Sequence, residues 1–395
     1  MLSQHESFRE RELRDYEVTP VAGHGSGGHR VYSMVTTWAN QPLNAKEKFV
    51  LKRWTPASLH ARRFNQVESF EAVAHRNGLF NSLPESVHAP ILAAVPAADG
   101  GGSWLLMTDV TEALNQYGRP NQFPFEQVKR KVSVVLDRLA QMHAHWEASD
   151  HLAQAVKEHR YHDWSAHISV NAGAYRHALT HGATGDIVDG EVMDEAFVDS
   201  LHAFLAWLPS ALRPRWEQVL VDRSALIAAA DILPKTLLHG DTDDRNIGLS
   251  AGVRDAGSCL TLIDWEWTCI GPSGLDAAKP IHQLPASFLG EPHWIATYTD
   301  LLSDWGTEYA RYYRRHGGRA SEAETITGYQ IGLVREAMSP FPIVIGGVLL
   351  AKNGRAALFD SIPGMELPSS LFDVILGWGA QMVNHVSDYL RVFYG

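Results

Sequence analysis

Three runs of β-branched and aromatic residues alternate with polar turns near the start of the chain. The first covers residues 16–22 and leads into GHGSGG, the second is RVYSMVTTW at 30–38, and the third is KFVLKRW at 48–54. Runs of this length, separated by glycine, proline and asparagine, predict β-strands. Consecutive strands with short connections predict an antiparallel meander.

Beyond residue 54 the pattern changes mainly to helical spacing. The apolar positions of residues 129–146 fall on one stripe, with Val132, Leu136 and Leu139 on it, which predicts an amphipathic helix. His143 lies near the same stripe and is predicted to be packed in the core. The apolar run 341–351 is too short to span a membrane and predicts a buried core segment. Further helices are predicted at 59–77, across 152–231 with a glycine-rich break at 181–190, at 325–338 and at 372–394.

The predicted meander carries candidate nucleotide-binding groups. Gly25, Gly27 and Gly28, with Ser26 between them, form a glycine-rich turn whose amides can approach a phosphate closely. Lys52 lies inside the third strand, on a face that needs a partner to tolerate its charge.

The partner predicted for Lys52 is Glu68 or Glu71, which occupy one face of the helix predicted next, and the choice between them stays open. The strand at 104–110 is predicted to join two lobes, with backbone groups available to an adenine edge.

The densest cluster of reactive groups is LLHGDTDDRNIGL at 237–249. Asp241 is followed five residues later by Asn246, and LIDWEW places Asp264 after a short β-like run. Phosphoryl transfer needs a carboxylate to receive the proton of the attacking hydroxyl and hard oxygen ligands for Mg²⁺. Together, Asp241, Asn246 and Asp264 supply one such base and two oxygen ligands. Glu266 is predicted to face the same way as Asp264 on a continuing strand, towards metal or acceptor.

These motifs resemble the aminoglycoside phosphotransferase and choline kinase superfamily, small-molecule relatives of the protein kinases. The matching pieces run from residue 16 to about 276 and include HGDTDDRN, LIDWE, GPSGLDAAK and RLAQMHAHW. The resemblance implies an α+β, two-lobed protein-kinase-like fold. A small N-terminal lobe with an antiparallel sheet, residues 1–108, binds nucleotide. A larger, mainly helical C-terminal lobe, residues 109–395, carries catalysis and the acceptor site, with a hinge near 107–111.

The resemblance also implies a role for each matching residue. Asp241 is the catalytic base, with Lys52 on the α- and β-phosphates and Glu68 or Glu71 as its ion-pair partner. The remaining implied positions are Asn246 and Asp264 on Mg²⁺, Ser26 over the phosphates, Thr108 and Val110 at the adenine, and His239 as a scaffold residue.

The motif departs from the family pattern directly after Asp241. Asp243 stands where many relatives carry histidine or lysine, and Asp244 adds further negative charge. Two roles are possible for Arg245: it contacts the transferring phosphate, or it forms ion pairs with these acidic neighbours. The ion-pairing role is favoured.

Composition narrows the classes of partner. The chain has 395 residues and a formal net charge of −11, which disfavours nucleic acid and anionic membranes and is compatible with a cationic acceptor. Its two cysteines and its polar start predict a cytoplasmic protein. The expected partners are ATP, Mg²⁺ and a hydroxylated small molecule, with no nucleic acid or membrane, in a monomer or homodimer.

The predicted function is ATP-dependent phosphorylation of a hydroxyl on a small molecule. Candidate acceptors are an aminoglycoside, an amino sugar or sugar, a choline-like amine or another metabolite. The alternative is a catalytically inactive nucleotide-binding pseudokinase, which the presence of Lys52, Asp241, Asn246 and Asp264 disfavours. A protein substrate is also disfavoured, because the motif reads His-Gly-Asp and Asp-Trp-Glu, and no Ala-Pro-Glu segment follows.

Overall fold

The computed structural model describes most of the chain, in thirteen stretches. They are residues 11–21, 30–39, 41–42, 45–56, 68–117, 124–147, 149, 152, 162–249, 258–281, 295–339, 341–355 and 372–394. Predictions on the glycine-rich turn, Gly25, Ser26, Gly27 and Gly28, lie outside these residues.

The chain divides into two compact units. The first comprises Met1–Gly118 and Arg245–Trp267, and the second comprises Arg119–Asp244 and Thr268–Gly395. The segment with Asn246 and Asp264 therefore folds with the N-terminal sheet, although it comes much later in the chain. The lobe boundary at 108 stays a prediction.

The first unit is built on a five-stranded antiparallel sheet in the order β1-β2-β3-β6-β5. Its members are β1 (Leu13–Pro20), β2 (Arg30–Trp38), β3 (Glu47–Trp54), β5 (Ile91–Pro96) and β6 (Ser103–Thr108). The predicted meander is thus observed as β1, β2 and β3. Both faces of the sheet bury apolar side chains, such as Trp38 and Phe49 on one face and Leu105 and Met107 on the other.

A short helix and a second sheet complete the first unit. The helix α1 (Phe70–Arg76) begins at the N-cap Ser69, so Glu68 lies before the helix rather than on it. The second sheet has the order β11-β12-β4, formed by β4 (Val87–His88), β11 (Ile247–Leu249) and β12 (Leu260–Leu262). Helix α2 (Thr111–Tyr117) follows β6.

The second unit is mainly helical. Its long helix α3 (Phe125–Glu147) extends the predicted 129–146, and His143 on it is fully buried, as predicted. The remaining helices are α4 (Trp164–Ile168), α5 (Ala172–His181), α6 (Glu195–Trp207), α7 (Arg213–Val221), α8 (Ser224–Asp231), α9 (Ile295–Arg315), α10 (Glu322–Ala337), α11 (Phe341–Lys352) and α12 (Phe372–Tyr394). The small strands are β7 (His162–Asp163), β8 (Ile187–Val188), β9 (Glu191–Val192), β10 (Lys235–Leu238) and β13 (Cys269–Pro272).

An antiparallel sheet followed by mainly helical structure is the α+β class that was predicted. The apolar run at 341–351 forms α11, whose side chains are mostly buried, as predicted. Within the described residues, Glu322–Lys352 is the single stretch apolar and long enough to cross a membrane by composition alone. Its most apolar window is 76% buried in the protein, as in a core helix.

Candidate active site

In the first unit, β3 and α1 bring together Lys52 and Glu71. The ammonium Nζ of Lys52 donates to Glu71 Oε2 at 2.5 Å and to Asp264 Oδ1 at 2.6 Å. The side chains of Lys52 and Glu71 are 7% and 0% exposed, so this pair is buried. The structure thus selects Glu71 as the partner, because Glu68 instead accepts from Arg76 Nη1 at 2.5 Å. A catalytic role for either glutamate stays a prediction.

The charge of Lys52 is stabilised by the surrounding carboxylates. Burial by itself would lower the pKa of its ammonium. Asp264, Glu71 and Glu266 outweigh that effect and raise the pKa above its ordinary value. Lys52 is therefore a permanent cation at neutral pH, as a phosphate contact requires.

The register of β11 and β12 places the two predicted metal ligands side by side. Ile247 is paired with Leu262, and the amide of Ile263 donates to the carbonyl of Asn246 at 3.0 Å. Asp264 follows directly, with a φ of 63° and a side chain that is 38% exposed. A left-handed backbone at a non-glycine residue costs about 1–3 kcal/mol and is concentrated at functional sites. Asn246 and Asp264 thus stand on adjacent chain segments.

Glu266 has a different environment from the one predicted. The strand ends at Leu262, and residues Trp265–Trp267 form a 3-10 turn, so the expected strand alternation is wrong. Its carboxylate accepts from Ser69 Oγ at 2.5 Å and from the Phe70 amide at 3.0 Å, which caps α1. Burial and the neighbouring Glu71 raise the pKa of Glu266 to about 8. These contacts make Glu266 a support for the helix that carries Glu71; its role towards an acceptor stays a prediction.

The predicted adenine-contacting positions already make backbone hydrogen bonds. The Thr108 amide donates to the Pro90 carbonyl at 3.0 Å, and the Val110 carbonyl accepts from the Leu114 amide at 3.0 Å. Their contacts with a nucleotide stay predictions. Arg245 lies exposed in the 3-10 turn Asp244–Asn246, and its role also stays a prediction.

In the second unit, Asp276 organises the chain segment that ends at Asp241. Its carboxylate accepts from the amides of His239 and Gly240, at 2.6 and 3.0 Å. The carbonyl of Asp276 accepts from Thr242 Oγ1 at 2.6 Å. His239, fully buried, accepts from the Asp241 amide through Nδ1 at 3.2 Å, as expected of a scaffold residue. Asp276 therefore binds the backbone before Asp241 and the Thr242 side chain after it.

Burial by itself would raise the pKa of Asp276, but its polar neighbours lower it below the ordinary value. These neighbours are His143, His239 and Arg335, and His143 Nε2 lies 3.5 Å from Asp276 Oδ2. Arg335 Nη2 also donates to the Gly240 carbonyl at 3.2 Å.

Sequence reasoning missed two residues of this region, Asp276 and Lys279. Lys279 donates to Asp241 Oδ1, and the two side chains are 16% and 19% exposed. Both missed residues lie in GPSGLDAAK, three positions apart. Their spacing was the signal available in the sequence. Residues at i and i+3 share one face of a helix, so the motif could have predicted that the two charged side chains point to the same region.

The residues predicted for ATP and Mg²⁺ fit these groups in chemistry. Mg²⁺ is held by hard oxygen ligands, often one or two carboxylates together with substrate phosphates, and Asp264 and Asn246 supply such oxygens. Within the described residues, no cluster of three or more histidine, cysteine, aspartate or glutamate side chains is suited to a metal ion.

No protein-family model matches the sequence, and no curated protein matches it. The solved structures that resemble the chain include two aminoglycoside phosphotransferases. One is the GDP complex of a mutant aminoglycoside 2'-phosphotransferase-IIIa, with a TM-score of 0.39 and 14% identity over 90% of this chain and 95% of that chain. The other is aminoglycoside phosphotransferase APH(3'')-Id from Streptomyces rimosus, with a TM-score of 0.39 and 12% identity over 80% of this chain and 92% of that chain.

Proposed function

We propose that this protein transfers the γ-phosphoryl group of ATP to a hydroxyl of a small molecule. The observation that carries the proposal is the buried Lys52, which contacts both Glu71 and Asp264. Burying a cation between two carboxylates costs desolvation free energy, so stability alone is a weak reason for this arrangement. Binding of a polyphosphate is a functional reason for it.

Each residue has a defined task in this proposal. Lys52 would bind phosphate oxygens, Glu71 orients Lys52, and Asn246 and Asp264 would hold Mg²⁺. Asp241 receives the proton of the acceptor hydroxyl. The nucleotide supplies the phosphoryl group, and the ion neutralises its charge. The predicted phosphate contact of the glycine-rich turn with Ser26, which lies outside the described residues, belongs to the same proposal.

The acceptor is proposed only as a class, namely a hydroxylated small molecule. The negative net charge of −11 supports a cationic one, such as an aminoglycoside, an amino sugar or a choline-like amine. A cytoplasmic location without nucleic-acid or membrane partners, as a monomer or homodimer, belongs to the same proposal.

The proposal is tested by nucleotide turnover with kanamycin, glucosamine, glucose and choline, using ATP and GTP in parallel with Mg²⁺. Product formation is expected with at least one acceptor. Asp241→Asn should lower kcat by about 100-fold or more, since a positioned base contributes 10²–10⁴-fold.

Lys352→Met is the matched control. Lys352 forms an exposed ion pair with Asp373 at 2.5 Å, so this variant should keep full activity. Equal background turnover by wild type and Asp241→Asn with every acceptor would contradict the proposal. Tight nucleotide binding combined with that result would identify a pseudokinase.

A further inference from the structure

Asp241 is paired with a cation that comes from a separate part of the sequence. Lys279 lies in helical residues 278–281, directly after the 3-10 turn Leu275–Ala277, and its Nζ donates to Asp241 Oδ1. The same turn contains Asp276, which binds the backbone of the two residues before Asp241. One short segment thus holds both the backbone and the side chain of the Asp241 region.

The surroundings of this ion pair are acidic. Glu336 and Asp243, both 5% exposed, act electrostatically on Lys279 together with Asp241, and Arg335 opposes them. Burial by itself would lower the pKa of Lys279, yet these carboxylates raise it above its ordinary value. Lys279 therefore stays charged at neutral pH.

The hydrogen bond from Lys279 to Oδ1 fixes the orientation of the Asp241 carboxylate about its side-chain torsions. Such a contact is strong, since a charge-assisted hydrogen bond is stronger than a neutral one. A carboxylate that receives the proton of a hydroxyl must lie within hydrogen-bond reach of it, so its orientation bears directly on the reaction.

We propose that Lys279 is a positioning residue for the proposed reaction, which holds the Asp241 carboxylate in the orientation that receives the hydroxyl proton. This inference rests on the proposed function. Lys279 takes no part in bond making. The proton passes from the acceptor hydroxyl to Asp241, and the hydroxyl oxygen takes up the phosphoryl group as the bond to the nucleotide leaving group breaks.

A purely structural ion pair is the competing explanation. Buried ion pairs contribute little net stability compared with apolar side chains of the same size, so stability alone is a weak reason for this one. The two explanations differ in one respect. A structural pair affects folding whether or not Asp241 is reactive, whereas a positioning residue acts on the rate only through Asp241.

The test is a double-mutant cycle in the full-length protein. Lys279→Met, Lys279→Arg, Asp241→Asn and the double variant Asp241→Asn/Lys279→Met are assayed with Mg-ATP and the best acceptor from kanamycin, glucosamine, glucose and choline. Lys279→Met should lower kcat by about 10- to 100-fold, the usual effect of losing a partner that orients a reactive group. KM for ATP should stay within about twofold, and Lys279→Arg should recover most of the rate because it restores the cation.

In the Asp241→Asn background, the further loss from Lys279→Met should be within about twofold, because residues that act as a unit are non-additive. Lys352→Met is the control for loss of a lysine and should keep the wild-type kcat. A second measurement is the titration of the Lys279 ammonium by ¹⁵N NMR. Asp241→Asn should move it to lower pH, since it removes a carboxylate that raises the pKa of Lys279.

An active wild type with a fully active Lys279→Met overturns the role of Lys279 alone, and so does an additive loss in the cycle. If the wild type produces no more product than Asp241→Asn, the proposed function fails and the positioning role fails with it. If Lys279→Met does not fold, the inference is tested by the activity of Lys279→Arg and by the titration of the Lys279 ammonium in Asp241→Asn. A Lys279 titration that is the same in Asp241→Asn and wild type then overturns the inference.

Discussion

Individual residues in this protein are defined by partners that lie far away along the chain. Lys52 and Asp264 are separated by 212 positions, and Asp276 binds the amide of His239 across 37. Each of these contacts joins a buried charge to a specific donor or acceptor. Substitution of one residue of such a pair should therefore change the stability of the protein by an amount that depends on pH or on a bound ligand.

Asp276 should make the stability of the protein sensitive to acid. The pKa of its carboxyl group in the folded protein lies below the ordinary value, because His143, His239 and Arg335 outweigh the effect of burial. Its contribution to stability is fully present above the unfolded pKa of about 4 and is lost as pH falls through the folded pKa. Asp276→Asn should therefore lower the free energy of unfolding at pH 7 by about 3 kcal/mol and flatten its pH dependence below about pH 5.

Urea unfolding between pH 3 and pH 7 measures this dependence. Asp373→Asn, which changes an aspartate that is 82% exposed, is the matched control and should shift stability by less than about 0.5 kcal/mol. Parallel pH profiles for wild type and Asp276→Asn would contradict the prediction.

At the scale of elements, close packing decides where helices cross. Helix α11 approaches α6 at Gly346, where a Cβ atom would lie 1.8 Å from the carbonyl oxygen of Ser200. That distance is shorter than any contact between such atoms allows, so the crossing requires a residue without a side chain. The apolar composition of α11 explains its burial, but not this requirement.

Gly346→Ala should therefore destabilise the protein by about 1–3 kcal/mol or more, because the backbones of α6 and α11 must separate. The matched control is Gly377→Ala in α12, where a Cβ atom would meet nothing within 4 Å. That substitution should leave the stability of the protein unchanged or raise it by up to about 1 kcal/mol, since alanine has a higher helix propensity than glycine. Urea midpoints measure both, and equal effects would contradict the packing argument.

At the scale of the whole molecule, each of the two units contains buried apolar side chains, such as Trp38 in the first and Trp216 in the second. The first unit is assembled from two separate stretches of chain. A ligand that binds the folded protein stabilises it by mass action, so nucleotide binding can be read from thermal unfolding without knowledge of the acceptor.

Mg-ATP at about 100 times its Kd should stabilise the wild type by about 2.7 kcal/mol and so raise the midpoint of thermal unfolding. Lys52→Met should lose more than half of that increase, because a phosphate contact is removed. The quantity compared is the rise in midpoint that Mg-ATP causes in each protein, so a change in the stability of the unliganded variant does not affect the comparison. Lys352→Met should keep the full increase, and a full increase in Lys52→Met would contradict the proposed role of Lys52.

Local pattern was sufficient to predict most of the secondary-structure elements. The alternation of residues 30–38 and 48–54 predicted β2 and β3, and α12 was predicted with its observed bounds of 372–394. Strand and helix periodicities are properties of neighbouring residues, so the sequence carries them directly. The spacing of Asp241, Asn246 and Asp264 likewise led to the predicted chemistry, and the roles of these residues stay predictions.

Pairing between distant segments was decided only by the tertiary structure. The sequence left Glu68 and Glu71 as equal candidates, and the start of α1 at Ser69 together with the position of β3 selected Glu71. The 3-10 turn after β12 places the Glu266 carboxylate at the N-terminal end of α1. The contact of Lys279 with Asp241 was not visible in either motif. Periodicity determines which face of an element a residue occupies, but only the packing of elements determines which charge it meets there.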